Sequence, residues 1–323
     1  MSELPGIHIP QRWPYTTSRD ASDVSAVLGS EERCFLYHGD CRDLLRALPD
    51  ACVQLVITSP PYNIGKAYED PLTLEQYVAF QTEVITECVR VTAPTGSVCW
   101  EVGNHIAGPQ EILPLDILLH PIFARLGLRL RNRIVWHFEH GLHCQRRFSG
   151  RYEVIMWYTK SDEYQFNLDA VRVPQKYPGK RHFKGPRAGE LSGNPLGKNP
   201  SDVWIFPNVK SNHREKTVHP CQFPVELVDR LLLAMTQPHD LVLDPFAGVS
   251  SALCAAILRE RRACGAEIVE EYVRVSAERI EQAFAGTLPV RPADQPVHEP
   301  RNDRVSQLPI HFREARRAVG ADR

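Results

Sequence analysis

Ser59-Pro60-Pro61-Tyr62 carries the first chemistry legible in this chain. It follows residues 53–58, an apolar run that reads as a buried strand. Two consecutive prolines cannot continue a strand ladder, because neither has a backbone N–H. They set a stiff turn with free carbonyls, the Ser59 hydroxyl on one side and the aromatic face of Tyr62 on the other. Such a turn suits a planar ring with an exocyclic amine. The amine donates to the Ser59 hydroxyl and the Pro60 carbonyl, while Tyr62 stacks on the ring. Alone, the tetrapeptide would be no more than a strand-to-loop turn; the company it keeps changes that.

A second group runs from an apolar strand through Asp244-Pro245-Phe246-Ala247-Gly248-Val249-Ser250 into a helix. Gly248 lets backbone approach a ligand closely, and the helix start adds free N–H groups. Asp244, at the strand end, can take a positively charged ammonium. The next strand ends about twenty residues on at Glu267, where a carboxylate can accept both hydroxyls of a ribose. Strand, turn, helix, strand and glutamate in this order indicate a nucleoside-type cofactor. Without a GxGxxG there is nothing to cradle a dinucleotide's pyrophosphate. Asp40 follows another short strand, 34–38. It can accept from an adenine amine or cap the helix that starts at Cys41. His219 and Gln222 precede a helix over 225–235, where they would meet the cofactor's amino-acid end.

These residues need a large α/β scaffold, and 323 residues suffice for one with an insertion. Strands are expected at 34–38, 53–58, 96–101, 133–138, 153–159, 241–243 and 264–268. Helices are expected at 41–48, 74–91 (capped by Thr73), 112–126, 224–235, 250–261 and 271–284. Residues 1–30 read as a loose arm. Residues 161–215 are rich in Pro, Gly, Lys, Arg and Asn with isolated aromatics, a long irregular insertion. From about 287 the tail reads as mobile. The nine cysteines are scattered without a CxxC, so reduced thiols in a cytoplasmic protein are expected, with no metal site. No apolar run approaches the ~18 residues of a membrane span. Net charge is −1, but residues 125–216 carry +10 (18 Lys and Arg against 8 Asp and Glu), leaving −11 elsewhere. A basic segment in an acidic protein suggests a surface for a polyanion.

The stretches GDCRDLLRALPD, LVITSPPYN, RNRIVWHFEH…RYEVIMWYTK, EKTVHPCQFPVELVDRLL and VLDPFAGVSSALCAAILRERRACGAEI together resemble a bacterial amino-DNA methyltransferase of the permuted β group. They cover most of residues 34–280, catalytic motif first and cofactor motif last. The resemblance implies a doubly wound, mostly parallel sheet of the Rossmann-like S-adenosylmethionine-dependent type, with circularly permuted motif order. It divides the chain into an arm (1–30), a catalytic part (31–160), a target-recognition insertion (161–215), a cofactor-binding part (216–286) and a tail (287–323). It implies Ser59, Pro60, Pro61 and Tyr62 as catalytic, with Asp244 to Gly248, Ser250, Glu267, Asp40, His219 and Gln222 around S-adenosyl-L-methionine. It implies a double-stranded DNA substrate, a base flipped out of the duplex, and direct transfer without an enzyme–base bond. The serine form of the tetrapeptide usually marks N4-cytosine enzymes in that family, and Asp or Asn marks N6-adenine ones. A type II modification enzyme, monomeric or homodimeric and with a separate endonuclease acting on the same site, is the expected setting. Ser250 departs from the family, which often has glycine there; a slightly altered methionine pocket is expected. Rival readings are an N6-adenine enzyme, a protein glutamine-amide methyltransferase and an inactive DNA-binding protein. A cysteine nucleophile is disfavoured, since the one Pro-Cys, Pro220-Cys221, lies in the segment resembling a cofactor motif.

Overall fold

The computed structural model describes residues 14–29, 32–65, 72–106, 108, 111–138, 141, 143–210, 212–292 and 295. Its strands are β1 (Tyr15–Ser18), β2 (Cys34–His38), β3 (Val53–Thr58), β4 (Thr92–Val102), β5 (Asn104–Ile106), β6 (Ile112–Pro114), β7 (Arg129–His137), β8 (Tyr152–Thr159), β9 (Val203–Ile205), β10 (Leu241–Asp244) and β11 (Arg262–Glu267). Its α-helices are α1 (Ser25–Leu28), α2 (Cys41–Ala47), α3 (Leu74–Val91), α4 (Leu115–Arg125), α5 (Val225–Met235), α6 (Ser251–Leu258) and α7 (Glu270–Phe284).

One sheet runs β1-β2-β11-β10-β3-β4-β8-β7-β9, and β5 with β6 makes a separate antiparallel hairpin. From β1 to β4 every neighbour is parallel. β8 is antiparallel to both β4 and β7. The central strands β3 and β10 are buried along their whole length, as parallel strands covered on both faces must be. Helices α5, α6 and α7 cover one face and α2, α3 and α4 the other. α3 shows why the sequence chose a helix: Tyr77, Gln81, Val84, Ile85, Cys88 and Val91 recur at helical spacing and are buried. A reciprocal Thr73–Gln76 capping box starts it.

β3 feeds α3 on one face, while its neighbour β10 feeds α6 on the other. The chain diverges between them and leaves a crevice at their carboxyl ends, where ligands of doubly wound sheets bind.

The structure departs from the sequence expectations in four places. Residues 15–28 of the expected loose arm form β1, a short 3-10 turn and α1, with Val24 and Val27 buried; residues 1–13 lie outside the described set. Residues 112–114 are strand, and the helix begins only after Pro114, whose ring pre-sets the N-cap backbone. Within the expected irregular insertion, β9 joins the sheet beside β7, and Trp204 and Phe206 enter the core, so apolar burial overrides the local composition. The tail is ordered through residue 291: Leu288 and Val290 pack on the core. Arg291 Nη1 donates to both oxygens of buried Glu226 at 3.0 and 3.2 Å. The tail beyond 295 lies outside the described residues.

Burial pushes Glu226 up to about 7 even with Arg291 beside it. Arg291→Met should therefore cost about 3 kcal/mol at pH 8, where a buried carboxylate loses its partner. The cost should shrink by pH 6, where Glu226 takes up a proton instead. Urea denaturation of both proteins at the two pH values measures this.

Candidate active site

β2, β11, β10 and β3 lie side by side and parallel, so their carboxyl ends present Asp40, Glu267, the 245–248 turn and Ser59 along one edge. They open on a single cavity of about 390 Å³. Every residue singled out from the sequence lines it except Asp244 and Ser250.

Asp244 sits beneath the floor, wholly buried. Its Oδ1 accepts from Thr58 Oγ1 at 2.6 Å and from the Phe246 N–H at 3.1 Å, tying β10 to the strand that carries the Ser59 turn. Its Oδ2 has no partner among the described residues. Burial raises its carboxyl to about 7, against the pull of these two donors. Ser250 is also fully buried and takes the left-handed backbone (φ 60°), a conformation glycine adopts without strain. Its effect falls on the start of α6, which corrects the expectation of an altered pocket wall.

Gly248 has φ 55°, and an added Cβ would lie 3.4 Å from the His219 ring. Its N–H donates to Glu267 Oε2 at 2.9 Å, while Glu267 Oε1 accepts from the Val269 N–H at 2.7 Å. Glu267 thus holds the turn as well as facing the cavity, and burial lifts it to about 7. Ser276 Oγ donates to the Gly248 carbonyl and Arg279 to the Val249 carbonyl, so α7 holds the turn from behind. His219 is held neutral, pushed down to about 4 by burial and by Lys216 and Arg279, and its ring meets Tyr272 edge-on at 4.6 Å. Gln222 is pinned between Thr217 and the Glu215 carbonyl. Asp40 caps α2 as expected, but Arg42 also grips both its oxygens, from 2.6 to 3.1 Å. An amine approaching Asp40 must therefore share it with a guanidinium.

Two functional candidates were missed in the sequence. Tyr62 Oη donates to Oε2 of Glu101, at the end of β4, at 2.9 Å, and lies 3.1 Å from Ser59 Oγ. Ser59 also lies within hydrogen-bonding reach of Glu101, so its one proton can go to the carboxylate or to Tyr62, while Tyr62 gives its own to Glu101. The remaining lone pairs of Ser59 are then left as acceptors. The carboxyl of Glu153, at the start of β8, lies within hydrogen-bonding reach of Glu101. Burial raises both, Glu101 the more strongly, with Glu153's charge adding to the rise. Two carboxyls this close share a proton. A signal was available: each is a lone acid within an apolar strand, SVCWEV or YEVIMWY, and a buried acid needs a partner.

The cavity fits a nucleoside-type cofactor: it has a tight glycine turn, a strand-end glutamate and an orphan carboxylate oxygen under its floor. Asp244→Asn, which keeps the Thr58 and Phe246 bonds, should weaken binding of S-adenosyl-L-methionine about tenfold by removing that charge, as isothermal titration calorimetry would show.

A family model for DNA methylases of the N6/N4 type matches residues 53–278. The chain belongs to this DNA methylase family. It is 50% identical over 241 residues to the type II methyltransferase M.BglII of Bacillus subtilis, covering 75% of this chain and 67% of the relative. It is 32% identical over 261 residues to the DNA adenine methyltransferase YhdJ of Escherichia coli K12, covering 79% and 85%. Among solved structures, the cytosine-N4-specific PvuII DNA methyltransferase shares the fold of this methylase with a TM-score of 0.63. Sequence identity is 20%, and the match covers 86% of this chain and 96% of the other. TTHA0409 of Thermus thermophilus, a candidate DNA modification methylase complexed with S-adenosyl-L-methionine, aligns at 27% identity and a TM-score of 0.56. That match covers 78% of this methylase and 94% of TTHA0409.

Proposed function

We propose that this methylase, as a member of the permuted β group, methylates the exocyclic N4 of a cytosine flipped out of duplex DNA. S-adenosyl-L-methionine is its cofactor; when bound, its sulfonium supplies an electrophilic methyl group. The observation that carries the proposal is the hydrogen-bonded trio of Ser59, Tyr62 and Glu101. An exocyclic amine is a poor nucleophile because its lone pair is delocalised into the ring. Ser59 Oγ and the Pro60 carbonyl accept from the amine, draw the nitrogen toward sp³ and aim its lone pair away from them. The amine sheds one proton on methylation. Ser59 passes its own proton to Glu101, directly or through Tyr62, as it takes the amine's, while Glu101's proton moves to Glu153. Glu267 holds the cofactor's ribose end and the buried Asp244 acts on its charged end through the floor, with His219 and Gln222 lining the same wall.

Arg129 and Arg131 pair with Asp162, and Arg133 with Asp116. Arg146, Arg147, Lys176, Lys180 and Lys184, without a carboxylate partner among the described residues, are candidates for phosphates. Within the insertion, Arg, Lys and Asn side chains read base edges. M.BglII is a type II methyltransferase, and this chain is read as the modification enzyme of such a system, in the cytoplasm, as monomer or homodimer, with a separate endonuclease. No described helix is long and apolar enough to cross a membrane.

Nucleoside mass spectrometry of plasmid DNA from cells expressing the chain, against a Ser59→Ala control, tests this. N4-methylcytosine only with the wild type is expected. N6-methyladenine, the product class YhdJ's name indicates, would keep the mechanism and overturn the choice of base.

A further inference from the structure

Phe148 is 98% exposed, the most exposed of the large apolar side chains described. Single exposed apolar residues are ordinary and need no explanation. Three observations set this one apart. First, its loop is shaped rather than loose: the Cys144 N–H donates to Ser149 Oγ at 3.0 Å and closes the segment that presents residues 145–148. Second, the ring follows Arg146 and Arg147. Both are exposed, and neither is paired with a carboxylate among the described residues. A bare aromatic between guanidinium groups and a solvent-facing loop end is a surface for a stack of bases with phosphates on either side.

Third, the loop rises from the wall of the catalytic site. It joins β7 to β8 just past the last pair of that ladder, His137 with Tyr152. The next residue is Glu153, whose carboxyl meets Glu101. A Cβ placed at Gly103 would lie 3.0 Å from the Tyr62 ring and 3.3 Å from Glu153, so the three crowd together. Phe183, the other strongly exposed phenylalanine, is built differently. It sits in the excursion closed by the Val173–Lys198 and Arg181–Leu191 bridges, with Lys184 near its ring.

We propose that Phe148 is a positioning residue that enters the base stack as the target base leaves it, filling the gap while Arg146 and Arg147 hold the flanking phosphates. This rests on the reading that the methylase acts on a flipped base. Flipping leaves an unstacked step, and an apolar wedge in that step stabilises the open duplex. The side chain touches no reacting atom, so its effect is confined to opening the duplex and vanishes when the target is already unpaired.

The test uses the full chain and the site located by sequencing DNA from expressing cells, rebuilt as two synthetic duplexes. One pairs the target base normally; the other sets it opposite an abasic position. Under single-turnover conditions, Phe148→Ala should lose at least about tenfold in rate on the paired duplex and stay within about twofold of wild type on the abasic one. Phe148→Trp should restore the paired rate, and Phe183→Ala should affect both duplexes alike. Equal loss on both duplexes for Phe148→Ala, or no loss on either, overturns the wedge. A wild type that methylates neither duplex overturns instead the reading on which it rests.

Discussion

Ser59→Ala should slow methyl transfer by about 10²–10³-fold while leaving the affinity for S-adenosyl-L-methionine within about twofold. Ser59 is one of a trio whose other members hold each other: Tyr62 keeps its bond to Glu101 when the serine hydroxyl is gone. The cavity wall that faces the cofactor keeps its turn, its glutamate and its buried aspartate. What is lost is one acceptor aimed at the amine, present whether or not the cofactor is bound. Rapid-quench measurement with labelled cofactor gives the rate, and calorimetry gives the affinity. Parallel loss of both would sink the assignment, as would an unchanged rate.

Glu101→Gln should slow the same step by about 10²-fold, the range expected for a lost proton-transfer group. Glutamine preserves the geometry: its carbonyl accepts from Tyr62, and its amide donates to Glu153. Only the ability to pass a proton disappears. Stability should move the other way. Glu101 has a folded-state value well above its ordinary 4.5, so the folded protein holds more protons than the unfolded chain as pH rises past 4.5. Stability contributed by that protonation is lost as pH climbs toward the folded value, and the glutamine variant lacks the loss. Its melting temperature should therefore fall less between pH 6 and pH 9 than that of the wild type. A variant with normal turnover and an unchanged pH profile would make the acid pair a packing feature alone.

Much of this site was legible because its residues sit where chain direction changes. Pro60-Pro61 and Ala247-Gly248 announce a strand end by what they cannot continue, and the apolar runs before them announce the strand. Parallel neighbours then align those ends without further information. Glu101 and Glu153 were not legible because their partnership crosses from β4 to β8, and nothing in either segment names the other. Asp244 was legible as a strand-end acid, but its depth was not. The Thr58 bond that draws it beneath the floor comes from a residue read only as the end of another strand. The core placement of Trp204 and Phe206 was hidden by the Pro- and Lys-rich sequence around them. A three-residue strand is too short to show a period, and the sheet edge beside β7 is what selects it. Arg291 was hidden in the same way, since its partner Glu226 is 65 residues away.

The bond between Thr58 and Asp244 spans 186 residues of sequence. During synthesis at about 5–20 residues per second, β3 must therefore wait roughly 10–40 s for the neighbour that completes its carboxyl-end crevice. Through that interval the SPPY turn exists without a floor, and its strand lacks one parallel partner. A nascent chain halted anywhere before β10 is catalytically silent, however well its first half has folded. The pairing of β10 with β3 therefore comes late in synthesis, and the crevice is complete only after it.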